Sequence, residues 1–491
     1  MNKVLIINRE RLDGVFRSAY ASLVLKKRKK IDIIVLTESK KDLKSISFYE
    51  EMGINKIIFI QNEYYKLNNF FIILKSLLKA IYILWKLSDK KFELSKYRIG
   101  KINAGNLISD HLARYHSKYF EKKFFNLETF KLLFVIVFRF LIISKIIKNE
   151  SIKLTILTSW SYASISNIGL RVSLTLKSKV LFIAGSNYEV YKKYKDYLAD
   201  NSALAQAALD KLIIKNKSIL KRSLKYFKER IDASKLKGLK ESQMDKHNWD
   251  IIRSFYKKKD LTRNEFYKFF NLKDKNKKIC TIALHAFRDA NHVQGELLFE
   301  SFYDEFLETL DFIENNNNFY WFIKPHPTSK RYGENGLVEK VIKKRNIKNV
   351  FIIPDNINTK TILNVSDKIV TSRGTIALEF AALGKKPIIS AKTYFSDYKF
   401  LIKANTKKEY FDQISDKNFP IKNTTKLKNY SKIILYLKKY ELVEKNIYNF
   451  TEPEVIIGKK VFFLRYKKIK SKLFNQKNTL FKLYDKMVKS I

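Results

Sequence analysis

Between Ile279 and Ser390 the chain carries five short runs rich in β-branched and aromatic residues, separated by four segments of helical length. The runs are Ile279–Leu284, Phe319–Ile323, Val350–Ile353, Lys368–Thr371 and Pro387–Ser390. Between the first two, Leu298, Phe302, Phe306 and Leu310 recur at spacings of four, which places them on one face of a helix. Further helices are expected around Val338–Lys344, Lys360–Val365 and Thr375–Leu383. Strands separated by helical crossovers pair in parallel and are covered on both faces. The expectation for this stretch is a doubly wound α/β sheet.

A second α/β unit precedes it. Val4–Ile7, Ile33–Leu36 and Lys56–Ile60 alternate with helical segments, and the rhythm resumes at Leu154–Thr158 and Val180–Ala184 after a helical insertion over about 64–149. At 491 residues the chain suits two or three domains of roughly 100–200 residues each. The text from Ala203 to Tyr267 is helical, polar and charged, so the break is expected near Lys257–Thr262. That gives an N-terminal Rossmann-like domain over 1–257, a second over 258–430, and basic C-terminal helices over 431–491. The last segment, with Val461–Tyr466 and Lys472–Met487, is expected to pack back on the first domain or to lie on a membrane surface.

Charge narrows the partners. Lys and Arg number 97 against 48 Asp and Glu, for a formal net charge of +49. No zinc finger or ribonucleoprotein-type strand gathers these charges into a nucleic-acid module, so no nucleic-acid partner is expected. Basic residues beside amphipathic helices do suit an anionic membrane surface, and a general Lys, Ile, Asn and Phe bias contributes to the excess. The one cysteine, Cys280, lies in an apolar run and excludes a disulfide framework. The apolar run at the N-terminus meets Arg9 and Glu10 too early for a signal peptide, which places the protein in the cytoplasm, peripheral on the inner leaflet of the membrane. Phe70–Leu87 is interrupted by Lys75, Lys79 and Lys86, and Leu132–Ile147 by Arg139 and Lys145. Both suit a buried helix or one lying in the membrane interface; the first reads as core packing, and for the second both readings stay open.

Ligands of open parallel sheets bind beyond the carboxyl ends of the strands. Three strand ends here carry concentrated chemistry. At Lys324-Pro325-His326-Pro327 two prolines fix the backbone around a histidine, and Lys324 and His326 suit phosphate oxygens. At Thr371-Ser372-Arg373-Gly374-Thr375 the strand turns tightly into a helix whose amides and dipole face the same side, with Glu379 one turn on, placed to accept from ribose hydroxyls or a base. His285, Arg288, Asp289, Asn291 and His292 form a polar cluster after the first strand, suited to a donor sugar or to proton transfer.

These motifs carry a resemblance. The stretch from about Ile279 to Ile414 resembles the C-terminal domain of bacterial capsule and surface-polysaccharide glycosyltransferases, a GT-B grouping that includes Kdo transferases and is distantly similar to sialyl- and polysialyltransferases. Lys324-Pro325-His326-Pro327 looks like the family's His-Pro motif, and Thr371-Ser372 with Gly374-Thr375 looks like its second, Ser/Thr-rich motif. Glu379 and Gly384-Lys385-Lys386-Pro387 match the pattern that follows. The resemblance implies two Rossmann-like domains facing across a cleft and a nucleotide held by Lys324, His326, Pro327, Thr371, Ser372, Gly374, Thr375 and Glu379. It implies transfer from a nucleotide-sugar donor, a CMP-linked acidic sugar being favoured, to an oligosaccharide or lipid-linked glycan acceptor. There is no Asp-x-Asp signature, so neither a metal nor a further cofactor is expected. His285 and Asp289 are the catalytic candidates. The family's base usually comes from the first domain, where Asp13, Asp110, His111 and Glu189 are titratable but no motif matches. A CDP-glycerol-type polyol-phosphate transferase and a non-catalytic nucleotide-binding subunit of a capsule assembly complex are the alternatives.

Overall fold

The computed structural model describes residues 2–8, 12–38, 43–89, 92–158, 164–184, 187–193, 206–216, 218–231, 259–289, 291–292, 296–440 and 479–489. The chain divides into two compact units, the first formed by residues 1–199 with 442–491 and the second by 200–441.

The first unit is built on strands β1 (Asn2–Ile7), β2 (Ile31–Thr37), β3 (Ile57–Phe59), β6 (Ile152–Leu157), β7 (Lys179–Ala184) and β8 (Asn187–Tyr191), in the order β3-β2-β1-β6-β7-β8. All neighbours are parallel except β7 and β8, an antiparallel pair that the sequence pattern does not announce. A separate ribbon pairs β4 (Arg98–Ile99) with β5 (Ile102–Asn103). Alternate residues of the central strand serve different cores: Leu5 and Ile7 face one, Val4 and Ile6 the other. Helices α1 (Leu12–Arg28) and α2 (Leu43–Glu51) cover the second face. The short α3 (Ile60–Glu63), with α4 (Phe70–Lys86), α5 (Gly105–Tyr115), α6 (Leu127–Asn149) and α7 (Ile165–Thr175), covers the first. α7 passes close to β1 at Gly169, where a Cβ would fall 1.9 Å from the end of the Ile7 side chain.

The two apolar helices of the insertion behave differently. α6 buries Leu133, Ile136, Phe138, Phe140 and Ile143 in the core, and its first turn is capped by Asn126, whose side chain accepts from Thr129 N–H at 2.9 Å. α4 buries only Ser76, Ala80 and Ile83 against α6, while its opposite face, including Phe71 and Trp85, stands in solvent. Core packing is therefore half of the account of α4.

The helix Thr479–Lys489 packs on the first unit, whereas residues 431–440, expected to go with it, belong to the helix Thr425–Tyr440 of the second unit. Tyr484 meets Tyr20 edge-on with centroids 4.9 Å apart, and Asp485 pairs with Arg28. The helix expected at Val461–Tyr466 lies outside the described residues.

In the second unit six parallel strands run in the order β11-β10-β9-β12-β13-β14: β9 (Ile279–Ala283), β10 (Tyr320–Lys324), β11 (Val350–Ile352), β12 (Lys368–Thr371), β13 (Ile388–Ile389) and β14 (Ile402–Lys403). The first five are the runs read from the sequence. Lys368, at the start of β12, lies buried and donates to the carbonyls of Gln413, Ile414 and Asp416 at 2.9, 2.9 and 2.6 Å, satisfying the end of the helix Lys407–Ser415.

The boundary between the units falls at 199/200, earlier than the break expected near 257–262. The helices α8 (Gln206–Lys215) and α9 (Ser218–Ile231) look polar in sequence, yet Leu209, Ile219, Tyr226 and Phe227 pack into one core with Tyr430 and Ile433 of the helix Thr425–Tyr440. Burial of that apolar stripe, with most of the charge on the solvent face, commits them to the second unit.

Candidate functional site

The chain builds β9, β10 and β11 outward to one edge of the second sheet, then returns to place β12 on the other side of β9. The topological switch lies between β9 and β12, and the residues that follow β9, β10 and β12 converge beside it.

The loop after β9 is fixed from two directions. Asn291 donates to the Phe287 carbonyl at 2.9 Å and accepts from Phe302 N–H at 2.7 Å, which ties the loop to the start of the helix Phe302–Glu314. Glu334 accepts from the amides of Phe287 and Arg288 at 3.0 and 2.7 Å. Burial pushes its carboxyl up to about 7, and the two amides work against that rise. Nothing in the sequence around Gly333-Glu334-Asn335-Gly336 marks this contact, because it joins segments 46 residues apart.

The loop holds His285 in a stack. Its ring lies 4.5 Å from that of Phe302 at 19° and 5.9 Å from that of His326 at 10°, and the Arg373 guanidinium sits 5.4 Å from the Phe302 ring. His285 Nε2 accepts the Arg373 backbone N–H at 3.3 Å. In the neutral ring the proton is then on Nδ1. His326 has the opposite tautomer: its Nδ1 accepts Thr328 N–H at 3.3 Å and lies 2.7 Å from the Thr328 hydroxyl, leaving Nε2–H to donate. Burial lowers both imidazole pKa values, His285 the more strongly because His326 and Arg373 add positive charge beside it. For His326 the nearby Asp289 carboxylate opposes the shift.

These rings line a cleft of about 200 Å³ beyond the ends of β9, β10 and β11, shared with Pro325, Ser329, Lys330, Glu334 and Asp355. Pro325 and His326 line it directly after β10. Pro327 is not in the wall. Lys324 is buried, donates to the Pro354 carbonyl at 3.3 Å and lies 3.7 Å from Asp355. The lysine that does line the cleft is Lys330, exposed and 3.8 Å from the same carboxylate.

The second motif supports the site from behind. Thr371 donates its hydroxyl to the Ala283 carbonyl at 2.8 Å. Ser372 meets Ser390 at 3.4 Å, and Ser390 donates to buried Glu305 at 2.5 Å. Burial pushes the Glu305 carboxyl up to about 7, and the serine hydroxyls oppose the rise. Gly374 turns so tightly that a Cβ would meet Thr371 Oγ1 at 2.8 Å. Thr375 precedes a helix of only seven residues, Ile376–Ala382, and makes no side-chain cap. Glu379 faces α9, where Arg230 holds it at 2.7 Å through Nε and 2.6 Å through a terminal nitrogen. Its carboxylate is engaged by protein, in place of the open position expected for it.

In the first unit, Asp110 and His111 are buried on α5, with the imidazole pushed down to about 3 by burial and the Arg139 charge. Glu189 lies in β8 and bonds to Tyr191. Asp13 lies in α1, and its side chain is outside the described residues. No three His, Cys, Asp or Glu side chains gather into a metal-holding group among the described residues.

Residues 195–398, under half of the chain, match the family of capsule polysaccharide biosynthesis proteins. The match covers the sheet from β9 to β13 and all the motif residues above. No curated protein matches the sequence. Among solved structures, the chain is similar to the β-Kdo 2,4-transferase KpsC of Thermosulfurimonas dismutans at 12% identity and a TM-score of 0.32, over 58% of this chain and 80% of that one. A UDP-GlcNAc 2-epimerase of Methanocaldococcus jannaschii shares 11% identity over 89% of this chain and 100% of its own, with a TM-score of 0.26. A glycosyltransferase of Rickettsia africae shares 10% over 100% and 97%, with a TM-score of 0.25. At these TM-scores the assignment of two Rossmann-like α/β units rests on the two sheets themselves.

Proposed function

We propose that this chain, whose residues 195–398 match the capsule polysaccharide biosynthesis family, is a glycosyltransferase that binds its nucleotide-sugar donor at the carboxyl ends of β9, β10 and β11. The observation that carries the reading is the pair of parallel imidazoles beside the switch point, locked by protein contacts in opposite tautomers so that each keeps one N–H to give. A nucleotide phosphate accepts such donors, and the Lys330 ammonium at the rim adds charge complementarity. As the glycosidic bond breaks, negative charge builds on the leaving phosphate, and preorganised donors stabilise it there more than in the ground state.

His285 fits this role better than that of general base, since taking a proton on Nε2 would break its bond to Arg373 N–H. Asp289, whose charge reaches His326, favours the protonated imidazole once an anion is bound. The donor is proposed to be CMP-linked, the acceptor a growing surface glycan, and the place of action the inner leaflet, with no metal required.

Titration with CMP, CDP and UDP tests the reading. Binding of CMP in preference to both diphosphates, lost in His326→Ala, supports it. Preference for CDP together with phosphodiester product from CDP-glycerol would replace it with polyol-phosphate transfer. Nucleotide binding without donor turnover would mark a non-catalytic subunit.

A further inference from the structure

Helix α4 carries, besides the face it buries, a second apolar face that no described residue covers. Phe71, Leu74, Leu78, Tyr82 and Trp85 are 80%, 42%, 60%, 46% and 60% exposed, and their spacings of three and four make them one stripe along the helix. Two turns of chain before it add Tyr65 at 88% and Leu67 at 94%. An apolar face this long and continuous is uncommon on a water-exposed surface and marks a contact.

The charge pattern says with what. From Tyr64 to Ser88 there is no acidic residue, and Lys75, Lys79 and Lys86 all fall on one flank of the stripe at about 100° per residue. Tyr82 and Trp85 supply the amphipathic rings that sit at headgroup level. Lysines edging an apolar, aromatic face are complementary to anionic headgroups above acyl chains. Segment 67–86 has the length and composition of a membrane span, but its back face is already spent. Ala80 and Ile83 are fully buried in the core of the first unit, and Lys145 of α6 ties down Asn68 and Asn69 at 2.8 and 2.6 Å. A helix anchored along one side lies in the interface plane.

We propose that α4 docks the first unit on an anionic bilayer by laying the stripe from Phe71 to Trp85 into the headgroup boundary with Lys75, Lys79 and Lys86 over the phosphates. This deepens the membrane-partner part of the function proposed above and is independent of the nucleotide site.

The test is flotation of the full chain with vesicles of phosphatidylcholine alone and with about one-third phosphatidylglycerol, in the wild type, Phe71→Glu/Leu78→Glu, Lys75→Glu/Lys79→Glu and the control Ile214→Glu, an exposed apolar position on α8. Expected are binding to the anionic vesicles, a loss of about tenfold or more in both α4 variants, and no change in the control. Unchanged thermal melting of the variants shows that the fold persists, and nucleotide titration in solution reads the donor site separately. Equal flotation of all four proteins overturns the proposal. So does a wild-type dimer that ignores vesicles and dissociates in Phe71→Glu/Leu78→Glu, which would make the stripe a contact between two copies.

Discussion

His326 and His285 face each other in parallel, 5.9 Å apart, although each takes its tautomer from a different segment, Thr328 for the one and the backbone of Arg373 for the other. Removing His326 leaves the stack of His285 on Phe302 in place. His326→Ala should therefore melt like the wild type, lose turnover, and bind nucleotide more weakly by about 1.5–3 kcal/mol, the worth of a hydrogen bond to a charged group. Isothermal titration with the nucleotide reads this, and unchanged affinity would remove His326 from the site.

Binding should also take up protons. Burial keeps both imidazoles neutral at pH 7, and a bound phosphate favours the charged form of His326, whose Nδ1 has the Thr328 hydroxyl beside it to accept the added N–H. Affinity then rises as pH falls through and below the ordinary histidine value of about 6.5, because the free imidazole is held below that value. Calorimetry in buffers of different ionisation enthalpy counts the protons, and His326→Gln should take up fewer. Phosphate protonation is common to both proteins and cancels in that comparison.

The Glu379–Arg230 pair separates two roles for one carboxylate. If its work is structural, Arg230→Leu leaves a buried charge without its partner and costs roughly 1–3 kcal/mol, reduced from the fully buried case because the arginine is 35% exposed. Nucleotide affinity would then change little in Glu379→Gln. A large loss of affinity with unchanged melting would return Glu379 to the ribose.

Glu305 makes stability depend on pH in a defined direction. Its carboxyl is held up to about 7 in the fold, while the unfolded chain ionises at the ordinary 4.5. Between those values the folded state holds the extra proton, so stability is full below about 4.5, falls as pH rises to about 7, and levels off above. Denaturant melts should show a decline of roughly 2 kcal/mol more in the wild type than in Glu305→Gln over that window. Parallel curves would contradict it.

Gly374→Ala drives a methyl group against Thr371 Oγ1, whose bond to the Ala283 carbonyl joins β12 to β9. An overpacked core site costs about 1–3 kcal/mol. Thermal melting should fall accordingly, and melting at the wild-type temperature would mean that the turn opens freely.

Ten of the strands were legible because alternating apolar runs and long crossovers leave few other pairings, and the strand-end motifs followed from them. What stayed hidden was of three kinds. β8 has strand-forming Tyr188, Val190 and Tyr191, but it pairs antiparallel after only two intervening residues, where the alternation of strands with helical crossovers leaves no place for it. The first boundary was misplaced because α9 hides Tyr226 and Phe227 among lysines and arginines. Within the site, Glu334, Glu305 and Lys330 gained their places through contacts across many residues, while Lys324, Thr371 and Glu379 turned out to be occupied by protein partners. Spacing along a chain shows which strand end a residue belongs to, and not which way its side chain finally points.

The return of residues 479–489 to α1 gives the first domain a split sequence, with the whole of the second domain translated in between. Tyr484 and Met487 belong to the same core as Val4 and Tyr20. During synthesis the second domain has all of its own residues before the first domain does. The first waits with part of its apolar interior uncovered until residues 479–489 have been made.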